Sequence, residues 1–229
     1  MNLRNFELSP KEAVAQQRAL RGQVETSPRL GRPRVVAGAD ISYNKFTDIC
    51  HAGFVLFDYE TKQPIARSMV TTRMNFPYVP GLLSYREIPT MLPAWDQIPV
   101  KPDVVFLDGH GLLHPRRLGI ACHFGLVAEV PTIGNGKSVL IGKFEEPGPE
   151  RGNYSYMRDG EEIVGAALRT KNKVKPVYVS VGHRVDLKLA LALTLRFTGS
   201  YRIPEPTRQA HLAVNALRRG EIGQGYTEL

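Results

Sequence analysis

The chain has 229 residues, 42% of them hydrophobic and 23% charged, and its 30 Lys and Arg exceed its 22 Asp and Glu to give a net charge of +8. That is enough apolar material for a sizeable core, and the composition excludes disordered and fibrous classes. No apolar run approaches the roughly 18 residues of a membrane-spanning helix and the first residues lack the apolar core of a secretory signal, so a cytoplasmic protein with no membrane partner is expected. Only Cys50 and Cys122 are present, which points to reduced structural thiols and not to a disulfide framework or a cysteine-built zinc site. The positive charge favours a polyanionic partner. It gathers at Arg116 and Arg117, at Arg169, Lys171, Lys173 and Lys175, and at Arg218 and Arg219.

Ser9, Pro10 and Glu12 form a helix start, with Ser as cap, Pro in the first turn and Glu three residues after the Ser, and the helix is expected to reach about Val24. After the connector SPRLGRPR come three β-type segments at residues 35–43, 49–59 and 65–73, joined by short turns as an antiparallel meander. The pattern then alternates: a helix over 82–95 despite Pro89, a buried strand at 104–108, a helix at 117–127 and a strand at 131–134. A Gly- and Pro-rich stretch, 142–160, precedes strands at 162–170 and 176–181 and helices at 186–197 and 207–218. Residues 221–229 are expected to fray. With no repeat and no long linker, residues 1–229 read as one mixed α/β domain.

Asp40 stands inside the apolar strand VVAGADISY, where a carboxylate loses its hydration and needs a compensating partner, either a local structural one or a cation. Asp108 ends the apolar run DVVFLD and precedes Gly109-His110-Gly111. If the two strands are neighbours, their carboxylates converge on a divalent metal, and hard oxygen donors favour Mg²⁺ or Mn²⁺. Glu87 taken alone reads as half of an exposed ion pair with Arg86, and His211 as a half-buried helical residue; their combination with the two Asp is what suggests a site. Pro77-Tyr78-Val79-Pro80-Gly81 is a stiff turn that holds an aromatic ready to wedge between bases or to pack on its own domain. Gly134-Asn135-Gly136-Lys137-Ser138 resembles a phosphate loop but has Pro131 where the pattern needs Gly, and His110 and His114 have a helical zinc spacing broken by Gly109, Gly111 and Pro115.

The segments AGADISY, FPYVPGLLSYREIP, PDVVFLDGHGLLHPRRLGIACHFGL, VPTIG, DGEEIVGAALRTK, KPVYVSVGHRVDL and YRIPEPTRQAHL, in this order from Val35 to His211, resemble endonuclease V. The resemblance implies a ribonuclease-H-like α/β fold, a mixed sheet whose first three strands are antiparallel, flanked by helices. It implies a metal site of Asp40, Glu87 and Asp108 that takes Mg²⁺, with Mn²⁺ as a substitute. His211 is implied as the basic member of the active site and Lys137 as the group that approaches the scissile phosphate. Tyr78, with Pro77, Val79 and Pro80, is implied as the wedge, and Gly81, Leu83, Gly109, Gly111 and His114 as the pocket for an extruded base. Backbone groups around the three glycines are expected to read that base.

The implied activity is hydrolysis of the second phosphodiester bond 3′ to hypoxanthine in DNA that contains deoxyinosine, leaving a 3′-hydroxyl and a 5′-phosphate, by a monomer. Inosine-containing RNA, or DNA junctions and flaps, are alternative substrates on the same fold, and a catalytically silent nucleic-acid-binding module is the alternative of another class. Where many members read Val-Ala-Lys-Lys, this chain reads Asn135-Gly136-Lys137-Ser138, so a more polar and more flexible loop is expected there. Lys137 and the basic residues between Arg169 and Lys175 are the candidates for drawing a polyanion onto an acidic site.

Overall fold

The computed structural model describes residues 3–229. Its first helix, α1 (Pro10–Leu20), begins as the sequence dictates: the Ser9 hydroxyl accepts from the Glu12 amide, and the Glu12 carboxylate accepts from the Ser9 amide. The meander follows as β1 (Val35–Tyr43), β2 (Ile49–Asp58) and β3 (Pro64–Arg73), each pair antiparallel. Then come α2 (Leu83–Asp96), β4 (Val104–Leu107), α3 (Ile120–Ala128), β5 (Thr132–Gly136), β6 (Tyr154–Asp159), β7 (Glu162–Leu168), β8 (Val177–His183), α4 (Leu187–Arg196), α5 (Glu205–Arg218) and β9 (Gly225–Glu228). One mixed sheet takes all nine strands in the order β6-β7-β8-β5-β4-β1-β2-β3-β9, with β1, β4 and β5 mutually parallel at its centre. Among the described residues no helix is long and apolar enough to cross a membrane.

Side chains alternate across the sheet and build two cores. Val36, Phe106, Ile133, Val179 and Val181 pack toward α4 and α5, against Leu193, Ala210 and Val214. Their sequence neighbours Ala37, Ala39, Val105 and Leu107 face α2 and α3, against Ile88, Trp95 and Phe124. Helix α2 survives both Pro89 and Pro93. Each costs about 3 kcal/mol in a helix interior, whereas each of the buried Tyr85, Ile88, Met91, Leu92 and Trp95 contributes about 1.5–3 kcal/mol by leaving water.

Three elements differ from expectation. The stretch 142–160 contains β6, an edge strand with only Met157 buried, so its sequence carries no apolar alternation. The tail expected to fray instead forms β9, which pairs with the outer edge of β3 from Ala66↔Glu228 to Met69↔Gly225, while Gln224 Oε1 accepts from the Thr71 amide at 2.7 Å. An open strand edge is a template for pairing, and only the folded sheet brings it to the tail. Helix α3 also starts later than expected, because Arg117 adopts a left-handed backbone (φ 57°) and Gly119 is the extended residue before the first turn. Cys50 and Cys122 are free and buried.

His123 is fully buried, its ring 5.6 Å from that of Phe6 and 4.8 Å from that of Tyr85, with Nδ1 3.0 Å from Ser84 Oγ. Burial pushes it down from 6.5 to about 3. The folded chain therefore refuses a proton that the unfolded chain takes up below about pH 6.5, so the stability that neutral His123 confers is lost as pH falls from 6.5 toward 3. Melting temperatures measured between pH 7 and pH 4 are expected to fall less steeply in His123→Leu than in the parent.

Candidate active site

The parallel ladder decides which side chains meet. Ala39 of β1 pairs with Leu107 of β4, and Leu107 with Gly134 of β5, so Asp40, within β1, and Asp108, just past β4, emerge side by side where the parallel ladder ends, with Lys137 just past the end of β5. This end of a parallel sheet is where α/β proteins place ligands. Asp40 Oδ1 accepts from the Ile41 amide at 2.8 Å, and its Oδ2 lies 2.7 Å from His211 Nδ1. Asp108 pairs with the ammonium of Lys137.

His211 reaches Asp40 because α5 lies directly on β1 at Gly38. A Cβ at Gly38 would stand 2.0 Å from the Pro206 carbonyl carbon and oxygen, so only glycine admits the helix there. Asn215, one turn after His211, sets the tautomer. Its Oδ1 accepts from Ser42 Oγ (2.9 Å) and Arg218 Nη2 (3.1 Å), which leaves its amide nitrogen to donate to His211 Nε2 (3.2 Å) and to the His211 carbonyl (2.7 Å). His211 therefore accepts at Nε2 and donates from Nδ1 to Asp40.

Glu87 is half-buried on α2. Burial, then the negative charges of Asp40 and Asp108, push it up to about 8, against the pull of Arg86. Asp40 is likewise raised by burial and by Asp108, opposed by its bonds to the Ile41 amide and His211. Asp40, Glu87 and Asp108 together offer only carboxylate oxygens, the donor chemistry a hard divalent cation takes. Among the described residues no three His, Cys, Asp or Glu side chains are gathered into a metal-holding group, since Asp40 is turned to His211 and Asp108 to Lys137.

Beside these groups lies a cavity of about 350 Å³. Tyr78, Val79, Pro80, Gly81, Leu83, Gly109 and His114 line it, joined by Gln17, His110, Ile120, Ser138 and Leu140. Tyr78 is 68% exposed at the rim, between exposed Pro77 and Pro80. Gly81 takes a left-handed backbone (φ 78°), and its carbonyl accepts from Gln17 Nε2, His114 Nε2 and Arg116 Nη2 at 3.0, 3.1 and 2.7 Å. Because His114 Nδ1 accepts from the Arg116 amide, Nε2 carries the proton given to Gly81. Gln17 comes from α1, and nothing in the spacing of the sequence links it to residue 81.

Several expectations are corrected here. Gly111 does not line the cavity: a Cβ there would meet the Val181 carbonyl oxygen at 1.9 Å, its amide donates to Ser180 Oγ, and its carbonyl accepts from Gly119. The Gly81 carbonyl is filled by three donors and the Gly109 amide donates to Leu107, so these groups are committed to the fold and not offered to a base. Asn135 and Gly136 are not a flexible loop. Both are buried in β5, Asn135 Oδ1 accepts from Thr194 Oγ1 at 3.1 Å, and Arg202 Nη2 holds the Lys137 carbonyl at 2.8 Å.

The basic clusters are largely structural as well. Buried Arg169 pairs with Glu146 and donates to the carbonyls of Pro147, Gly148 and Val174. Arg117 pairs with Asp159 and Glu162, and Arg219 with Glu221. Lys171, Lys173 and Lys175 of the Arg169–Lys175 group remain exposed, Lys171 with its ammonium on the Ser200 carbonyl.

Residues 18–212 match the family model for Endonuclease V. The chain belongs to the endonuclease V family. The endonuclease V of Myxococcus xanthus is 48% identical over 217 residues, which is 94% of this chain and 92% of that one. The crystal structure of endonuclease V from Streptomyces avermitilis superposes with a TM-score of 0.89 at 42% identity, covering 95% of this chain and 97% of that one. Ciona intestinalis endonuclease V, in complex with a 24mer DNA containing an inosine followed by a ribo-adenosine, superposes with a TM-score of 0.83 at 27% identity over 93% and 98% of the two chains. Asp40, Glu87, Asp108, Lys137 and His211 all fall within the span that matches the endonuclease V model, whereas Asn215 and Arg218, which orient His211, lie beyond it.

Gly38→Ala is expected to push α5 off β1 and carry His211 away from Asp40. Overpacking of this kind costs about 1–3 kcal/mol. Thermal denaturation should show that loss, and nuclease activity assayed well below the melting temperature should fall with it.

Proposed function

We propose that this protein nicks DNA at deaminated adenine, hydrolysing the second phosphodiester bond 3′ to hypoxanthine and leaving a 3′-hydroxyl and a 5′-phosphate. The observation that carries this reading is the juxtaposition of two sites. The group formed by Asp40, Glu87, Asp108 and Lys137 suits a phosphodiester, and the adjoining cavity of about 350 Å³, rimmed by Tyr78, suits one flipped base. The inosine-containing DNA bound by the Ciona intestinalis relative supports the same substrate.

Asp40, Glu87 and Asp108 would hold the metal, Mg²⁺ with Mn²⁺ as the alternative. When bound it polarises a phosphate oxygen and lowers the pKa of water. The remaining work belongs to the protein. Lys137, half-exposed at the end of β5, offers its ammonium to the negative charge that develops on the phosphate. His211, locked with its proton on Nδ1 toward Asp40, presents a basic Nε2 to orient or deprotonate the attacking water once Asn215 gives way. Tyr78, on a turn stiffened by Pro77 and Pro80, enters the space the extruded base leaves. Extrusion costs a few kcal/mol, least for a poorly paired base, so weak pairing of hypoxanthine contributes to selection.

With a single-inosine duplex and Mg²⁺, the parent is expected to give one nick at the stated bond, mapped at nucleotide resolution beside a riboinosine strand. Asp40→Ala should abolish the nick yet still bind the duplex; undiminished cleavage would remove Asp40 from the metal site. Lys137→Ala should lower kcat by about 10²–10³. Tyr78→Ala should lose preference for inosine in a duplex more than in a single strand.

A further inference from the structure

The β1–β2 hairpin carries a feature that neither the metal-binding carboxylates nor the base cavity uses. Its tip, Asn44-Lys45-Phe46-Thr47-Asp48, projects from the strand that bears Asp40, past the carboxyl end of the sheet. Phe46 is the most exposed large hydrophobic residue described, fully open to solvent, and it also holds a left-handed backbone (φ 64°). Each property is unfavourable for a phenylalanine. The ring leaves its apolar surface in water, and the backbone conformation suits Gly or Asn. Neither is repaid by a packing contact, and strain of this kind concentrates where a residue serves a ligand.

The hairpin is also fixed in place. Tyr43 at its root lies under the guanidinium of Arg86, 5.6 Å from ring centroid to Cζ, and Asn44 Oδ1 accepts from Arg218. Arg86 adjoins Glu87 on α2, and Arg218 lies two turns beyond His211 on α5. The two helices that complete the catalytic group therefore brace the hairpin. On its other side Asp48 pairs with Arg73, and its carbonyl accepts from the Met74 amide at 2.8 Å. Lys45, Arg86 and Arg218 form no ion pair among the described residues, so the positive charge around Phe46 is not neutralised.

We infer that Phe46, with Lys45, is a second nucleic-acid contact, an aromatic that stacks on a base or sugar of the duplex flanking the nick while the surrounding cations meet its phosphates. The inference rests on the proposed function. Aromatic rings that stack on bases, set in a cationic surface, are the recurrent chemistry of strand binding. Phe46 lies six residues beyond Asp40 on a strand that rises about 3.3 Å per residue, so its backbone stands at most about 20 Å from the metal-site carboxylate. At 3.4 Å per base pair that is a reach of about six base pairs.

The test compares the parent with Phe46→Ala, Phe46→Trp and Phe46→Gly on single-inosine duplexes. Affinity is read by fluorescence anisotropy under non-cleaving conditions, and kcat and KM are read from nicking with Mg²⁺. Phe46→Ala is expected to weaken binding and raise KM by about 10-fold with kcat unchanged, and Phe46→Trp to retain the parent's affinity. Phe46→Gly should bind as weakly as Phe46→Ala yet melt higher than the parent, because glycine relieves the left-handed backbone. In the parent, shortening each flank in turn below about six base pairs should erase the difference from Phe46→Ala on one side of the inosine.

Affinity of Phe46→Ala within twofold of the parent overturns the inference. So does a melting temperature that falls together with affinity, since that would make Phe46 structural. A parent that neither binds nor nicks the inosine duplex overturns the proposed function, and this contact with it.

Discussion

Two carboxylates placed side by side where a parallel ladder ends repel each other, and the chain accepts this cost at Asp40, which burial and the neighbouring Asp108 raise above the usual carboxylate range. The parallel pairing of β1 with β4 makes it unavoidable, because both strands end their ladder one residue before an aspartate. Glu87 arrives from α2 and adds a third carboxyl, which burial and the charges of Asp40 and Asp108 push up to about 8. Everything nearby answers this concentration of charge. His211 donates to one aspartate, Lys137 pairs with the other, and the Ile41 amide supports the first from the backbone. A site that is acidic and only partly compensated is electrostatically suited to a cation.

The compensating groups are held with more care than their roles in a motif would suggest. Gly38 exists to let α5 touch β1, and that contact is what brings His211 to Asp40. Asn215, itself oriented by Ser42 and Arg218, then decides which imidazole nitrogen keeps the proton. Lys137 is fixed from below by Arg202, while Thr194 engages the buried Asn135 of the same strand. On the cavity side, His114, Gln17 and Arg116 converge on one carbonyl, that of Gly81, and so hold the turn that carries Tyr78. The polar groups around the cavity thus fix its shape, and shape is what a pocket for a flat base requires.

The same economy changes the meaning of the net charge. A total of +8 suggests a surface made to attract phosphate, yet Arg169, Arg117, Arg116 and Arg219 are committed to carboxylates and backbone carbonyls within the fold. Arginine suits that task because its planar fork reaches several acceptors at once, as Arg169 does. Among the cations outside those structural pairs, Lys137 stands at the strand end beside Asp108, and Lys45, Arg86 and Arg218 surround the β1–β2 hairpin. A count along the chain does not separate the cations committed to the fold from the rest.

The capping box at Ser9, the three-stranded meander, the alternation that follows and the two strand aspartates were legible in the sequence, because caps, periodicity and a carboxylate among apolar residues are local signals. The family's motifs added Glu87, His211, Lys137 and Tyr78. Other features were not legible. Strand β9 looks like a polar tail until the edge of β3 is beside it. Gly111 looks like a pocket glycine until Val181 occupies the space its side chain would need. Asn135 and Gly136 look like a loop until β8 pairs with them. The sequence by itself determined which residue types could carry the chemistry and the local elements that bear them. Only the tertiary structure decided which carboxylates meet, which nitrogen of His211 holds its proton, and which arginines are already taken, because each of these depends on atoms brought together from segments far apart in the chain.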